Sequence, residues 1–136
     1  MKLSGQCLCG AIRYSGEGDP VFQVKCYCTD CRRVSAAGHA AMMGFPAEAI
    51  QVAGEVKEFQ STADSGSDVF RAFCPVCGSG LFARGSAMPG LIFLRASTLD
   101  DPSLFTPQMV VWAARAPHWD PVPAGLPAFA ERPAGM

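Results

Sequence analysis

Seven cysteines in a chain of 136 residues constrain the fold more than any other feature, because they stand in three tight groups. Cys7 is grouped with Cys9, Cys26 with Cys28 and Cys31, and Cys74 with Cys77. Full disulfide pairing of an odd number would strand one thiol. Thiols separated by one or two residues have the spacing of metal ligands, so metal binding is the first expectation and a disulfide framework the alternative.

The first and last groups share a local device. "CLCG" at 7–10 and "CPVCG" at 74–78 both place glycine directly after the final cysteine. A thiolate knuckle turns tightly so that backbone N–H groups point at sulfur, and the next residue is driven to positive φ, where glycine meets no steric penalty. Pro75 helps set the second turn. Two such pairs supply the four sulfurs of a closed structural zinc site, Cys7, Cys9, Cys74 and Cys77. The metal would pin the first strand to the strand ending "FRAFC". Buried free cysteine, packing as a small apolar group, is the reading without metal.

The middle group, within "KCYCTDCRRVS" at 25–35, lacks that glycine. Cys26 and Cys28 are two apart and face the same way on an extended strand. "TDCRRVSAA" predicts a short helix with Thr29 as N-cap and Asp30 in the first turn. Cys31 then lies among free N–H groups at the positive end of the helix dipole, which favours a thiolate. Three sulfurs and one open tetrahedral position are the layout of a catalytic zinc. Arg32 and Arg33 follow at once, as candidate contacts for a substrate carboxylate or as a solvated helix face. His39 or His118 could instead close the site as a fourth ligand. An iron centre fits less well, since the spacing matches none of the usual cluster runs.

The remaining sequence predicts one mainly β domain over 1–136. "AIRYSGE" and "VFQVKC" are expected as two strands of a meander across the turn "GEGDP". "GHAAMMGF", "IQVAGEVKEFQS", "DVFRAFC" and "LIFLRAS" are expected as further strands, with a turn at "DSGSD" and a helical turn in "TLDDPSLF". Seven of the eleven prolines lie from Pro102 onward. The segment 116–136 is therefore expected to be irregular, held by Trp119, Leu126 and Phe129. Net charge is −1 with no basic stripe, which argues against nucleic acid and anionic membrane as partners. No apolar run reaches the ~18 residues of a membrane span. "MKLSGQCLCG" lacks an apolar signal core, so a cytoplasmic location is expected. Nothing in the sequence bears on oligomeric state.

"GQCLCGAIRY", "CYCTDCRR" and "FCPVCGSGL", in that order, resemble the glutathione-dependent formaldehyde-activating enzyme family, the GFA or CENP-V/GFA domain. The resemblance runs from about Gly5 to Pro127. It implies a β-tent of antiparallel sheets and two zinc ions: a structural one on Cys7, Cys9, Cys74 and Cys77, and a catalytic one on Cys26, Cys28 and Cys31, which three protein ligands instead of four should hold more loosely. It implies a carbon–sulfur lyase chemistry that joins glutathione to formaldehyde as S-hydroxymethylglutathione. Tyr27 stands where the family commonly has histidine; on a strand it would point away from the sulfurs and leave zinc binding intact. The competing class is a non-enzymatic zinc-binding structural or protein-interaction module, since the β-tent also serves such roles.

Overall fold

Ten short strands and one α-helix follow from a chain cut repeatedly by glycine and proline. In the computed structural model, which describes residues 1–133, they are β1 (Lys2–Gln6), β2 (Arg13–Glu17), β3 (Phe22–Cys26), α1 (Thr29–Ser35), β4 (Ala40–Pro46), β5 (Ile50–Ala53), β6 (Lys57–Thr62), β7 (Asp68–Phe73), β8 (Gly80–Gly85), β9 (Leu91–Arg95) and β10 (Met109–Val111). The end of the segment expected over 116–136, residues 134–136, lies outside the described residues. Four single 3₁₀ turns complete the described residues, one of them at Pro102–Leu104, where a helical turn was expected. The fold is mainly β. No described helix is long and apolar enough to cross a membrane.

The strands form two sheets. Three antiparallel strands stand in the order β1-β2-β5, and seven in the order β10-β3-β4-β9-β8-β7-β6. Only the β10–β3 pairing is parallel in the larger sheet. The expected meander of β2 and β3 is thus corrected: they belong to different sheets. Gly18 at φ 145° and the Asp19-Pro20 pair carry the chain from one layer to the other, and proline has no N–H to continue a ladder. "IQVAGEVKEFQS" is likewise two strands, β5 and β6, one in each sheet. Gly54 at φ 99° makes the break.

The core lies between the sheets. Leu3, Ile12, Tyr14 and Ile50 meet Met43, Phe45, Leu81, Ile92 and Leu94. Directly opposed residues of neighbouring strands share a face. Met43 is opposite Leu94 and Phe45 opposite Ile92, so these four point into the core. Met42 is opposite Arg95 and Val24 opposite Met42, so this row lies on the outer face of the larger sheet. The three-cysteine group sits on that outer face, with Ala40 and Val111 packed beside Cys26 and Cys31.

The proline-rich segment is irregular, but not held as expected. Trp119 is 62% exposed and Phe129 37% exposed; Leu126 is half-buried. Backbone bonds hold the segment instead. Val110 donates N–H to Pro127 O at 2.9 Å, Phe129 to Val110 O at 2.9 Å, and Trp112 to Glu131 O at 2.8 Å. Proline cannot donate, yet its carbonyl still accepts, so a proline-rich chain can hook onto a strand it could not join.

Candidate metal centres

The first centre assembles where two strands end. Cys7 follows β1 and Cys74 follows β7, so the group ties the smaller sheet to the larger. Gly10 and Gly78 both have φ 80°, as the two glycine-closed knuckles require. Backbone N–H groups turn inward: Ile12 toward Cys7 Sγ at 3.3 Å, and Val76 and Cys77 toward Cys74 Sγ at 3.4 and 3.5 Å. Ser79 joins the knuckles, its Oγ accepting from Leu8 N at 3.0 Å and lying 3.2 Å from Cys77 Sγ. The Ser79 hydroxyl, followed by the backbone N–H groups of Ser79 and Cys9, pulls the Cys77 thiol down to about 5.

Sulfur spacing tests whether a metal fits. Tetrahedral zinc with Zn–S bonds of about 2.3 Å needs sulfurs about 3.8 Å apart. Cys7 and Cys9 are 3.6 Å apart, Cys9 and Cys74 3.7 Å. All four sulfurs lie within 4.8 Å of one another. None of the seven cysteines is in a disulfide.

The second centre is built differently. Cys26 ends β3, Cys28 follows two residues later, and Cys31 is the third residue of α1. The helix begins at Thr29 and shows Cys31 in its first turn, as the sequence implies. Its N-cap, however, is Cys28 and not Thr29: Cys28 is extended (φ −62°, ψ 157°) and its sulfur accepts from Cys31 N at 3.3 Å. A sulfur needing donors takes the role usual for serine or aspartate. The helix ends where Ala36 turns left-handed at φ 52°.

The three sulfurs lie within 4.8 Å of one another, and no histidine or carboxylate among the described residues joins their group. His39 is committed elsewhere: its Nδ1 is 2.6 Å from Asp120 Oδ2 and its ring stacks on Tyr27, centroids 5.0 Å apart. His118 is exposed. Tyr27 is wholly buried and turns from the sulfurs, donating its hydroxyl to Pro121 O at 3.2 Å.

The protons within this group are shared unevenly. Hydrogen bonds from the Cys26 and Cys31 thiols, helped by the N–H groups of Cys31 and Asp30, push Cys28 down to about 2 against its burial. The same contacts with Cys28 and Cys31, together with burial, push Cys26 up. At Cys31 the bond with Cys26 acts downward, but the bond with Cys28 and burial prevail and raise it to about 11. The three sulfurs thus act strongly on one another. Such a donor set suits a soft divalent ion, which would displace the remaining protons.

Cys28 opens onto a cleft of about 580 Å³ lined also by Arg71, Trp112, Arg115, Arg132 and Asp64. Arg32 and Arg33 are not among its lining residues. Arg115 bridges the cleft mouth: Nη1 donates to Thr29 Oγ1 at 3.3 Å, and the guanidinium lies over the Trp112 ring at 5.5 Å. Arg71 is anchored through Nη1 to Ser61 Oγ at 2.7 Å. Trp112 is left-handed (φ 56°, ψ 36°), a conformation rare for a bulky residue and concentrated at ligand sites. Sequence reasoning missed these residues. Arg71 comes from β7, Trp112 and Arg115 from the turn after β10, Asp64 from the turn before β7 and Arg132 from the C-terminal segment, and the one local signal is the i, i+3 spacing of Trp112 and Arg115.

Comparison with known proteins agrees with this architecture. A family model described as glutathione-dependent formaldehyde-activating enzyme matches residues 2–115. A Halomonas elongata protein that carries this family's name provisionally is 29% identical over 125 residues, which cover 88% of this chain and 80% of that protein. The crystal structure of a Rhodobacter sphaeroides protein superimposes with a TM-score of 0.59 at 16% identity, covering 93% of this chain and 98% of the other. That likeness speaks to the fold alone.

Proposed function

The chain belongs to the glutathione-dependent formaldehyde-activating enzyme family, and on that premise we propose that it is a zinc-dependent enzyme of carbon–sulfur lyase type. Its substrate is the adduct of formaldehyde with glutathione or a related thiol. The observation that carries this reading is the three-sulfur group opening on a cleft through Cys28. In this reading Cys7, Cys9, Cys74 and Cys77 hold a structural zinc, and Cys26, Cys28 and Cys31 hold a catalytic one. Zinc with three protein thiolates would supply a thiophilic Lewis acid that makes a thiol ionise at neutral pH.

The protein's own groups do the rest. Cys26 and Cys31 are buried and leave Cys28 facing the cleft, so a thiol must arrive from that side. Arg71, Arg115 and Arg132 can meet carboxylates there, and Asp64 with Asp30 can meet an ammonium. Glutathione carries two carboxylates and one ammonium, which suits this mixture of charges. Arg32 and Arg33 are assigned a lesser part, as positive charge further along α1. In the synthetic direction a bond forms between the glutathione sulfur and the formaldehyde carbon. The carbonyl π pair moves to oxygen, which takes a proton from solvent to replace the one the thiol released. The lyase direction is the reverse.

NMR exchange between glutathione, formaldehyde and their adduct tests the proposal. The wild-type protein should accelerate exchange, and Cys28→Ala should not. Two bound zinc ions without acceleration would retain the metal sites but refute this substrate.

A further inference from the structure

Among the described residues Arg95 is the one buried cation, and the proposed reaction does not use it. It ends β9 and is 7% exposed. Its Nη1 has no hydrogen-bond partner among the described residues, and none of the ion pairs found among them involves it. A guanidinium keeps its charge at any ordinary pH. Burying such a charge without a counter-charge is strongly unfavourable. A compensating negative group is therefore expected close by.

Geometry indicates where. Arg95 is opposite Met42, and Met42 packs against the cysteine triad. Val24, on the far side of Met42, is two residues from Cys26 and shares its face. Arg95 thus stands on the outer sheet face that carries the triad.

We propose that Arg95 is the fixed counter-charge of the three-cysteine centre, a positioning residue that makes the pocket electrically complete when three thiolates hold a divalent ion. Three thiolates on such an ion carry a net charge of −1, matched by one guanidinium. The centre and its counter-charge come from β3–α1 and β9, so the sheet itself sets the distance between them. This inference rests on the reading of Cys26, Cys28 and Cys31 as a metal site.

The test uses the zinc-loaded protein and a chromogenic zinc chelator. Wild-type protein should release two zinc ions in separate steps. Arg95→Met should release the first at a chelator concentration at least tenfold lower, with the second step unmoved, while Arg95→Lys should stay within about threefold of wild type, since it keeps the charge. Equal release from wild type and Arg95→Met, or equal weakening of both steps, would overturn the proposal. Release of a single zinc from wild type would overturn the metal reading and this inference together, a result distinguishable without any Arg95 variant. Should Arg95→Met not fold, the triad-free chain (Cys26→Ala, Cys28→Ala, Cys31→Ala) decides. There Arg95 has lost its partner, so Arg95→Met should raise the melting temperature; a fall would show that something else holds the guanidinium.

Discussion

The two cysteine groups use the same atom for opposite ends. In the tetrad, every protein position around a metal is filled, positive-φ glycines close both turns, and backbone N–H groups approach Cys7 and Cys74. In the triad, a helix N-terminus serves one sulfur, two others are buried in apolar packing, and the remaining side is a cleft. Ligand count alone does not produce that difference. The tetrad lies between two sheets and completes the connection of one to the other. The triad lies on an outer face that no second sheet covers.

The strongest way to break this contrast is Cys74→Ser. Structural zinc in small domains contributes about 10–16 kcal/mol, comparable with the net stability of a whole domain, about 5–15 kcal/mol. The variant is expected to lose the tetrad metal and to be largely unfolded at room temperature by circular dichroism. An unchanged melting curve would show that the tetrad is not structural.

Cys28→Ala should act almost oppositely. It removes an N-cap acceptor, at a cost of about 1 kcal/mol, so the melting temperature should move by a few degrees while adduct exchange and one zinc ion are lost. Mild chelation should do the same reversibly. Collapse of the fold on losing this metal would make both groups structural.

Two smaller effects sharpen the comparison. Arg115→Ala should raise KM for glutathione about tenfold with kcat little changed, since one charge-assisted contact is removed. A fall in kcat at constant KM would move Arg115 into the chemical step. Ser79→Ala removes the hydroxyl between Leu8 N and Cys77 Sγ and should cost about 1 kcal/mol in thermal unfolding, with exchange kinetics unaffected.

Much of this was legible in the sequence because it is local. Glycine after a paired cysteine announces its backbone angle, and Thr29 with Asp30 announces a helix start. Both cysteine groups gather as their spacing implies. What stayed hidden depends on chain segments far apart. Strands β2 and β3 alternate similarly, and nothing in their residues says that they join different sheets. The short β8 and β10 have no length over which a period could be seen. Arg71 and Arg115 meet Cys28 only through strand order, and the cap falls on Cys28 because a sulfur there needed N–H donors, which cap preferences learned from oxygen do not register.

The parallel pairing of β10 with β3 has a consequence in time. Met109 is matched with Val24 across most of the chain, whereas β6, β7, β8 and β9 pair with sequence neighbours. Contacts between distant segments form late. On a ribosome the triad is made early and stays without its far wall until β10 and the hook beyond it emerge. The β1-β2-β5 sheet, the larger sheet from β4 to β6 and the tetrad can close first, so the cleft is completed after them. In the mature protein the same order should run backwards: the amides of Val110 and Phe129 should exchange with deuterium before those of Met43 and Leu94. A chain that has not yet paired β10 with β3 can therefore gather Cys26, Cys28 and Cys31 before the cleft beside them is complete.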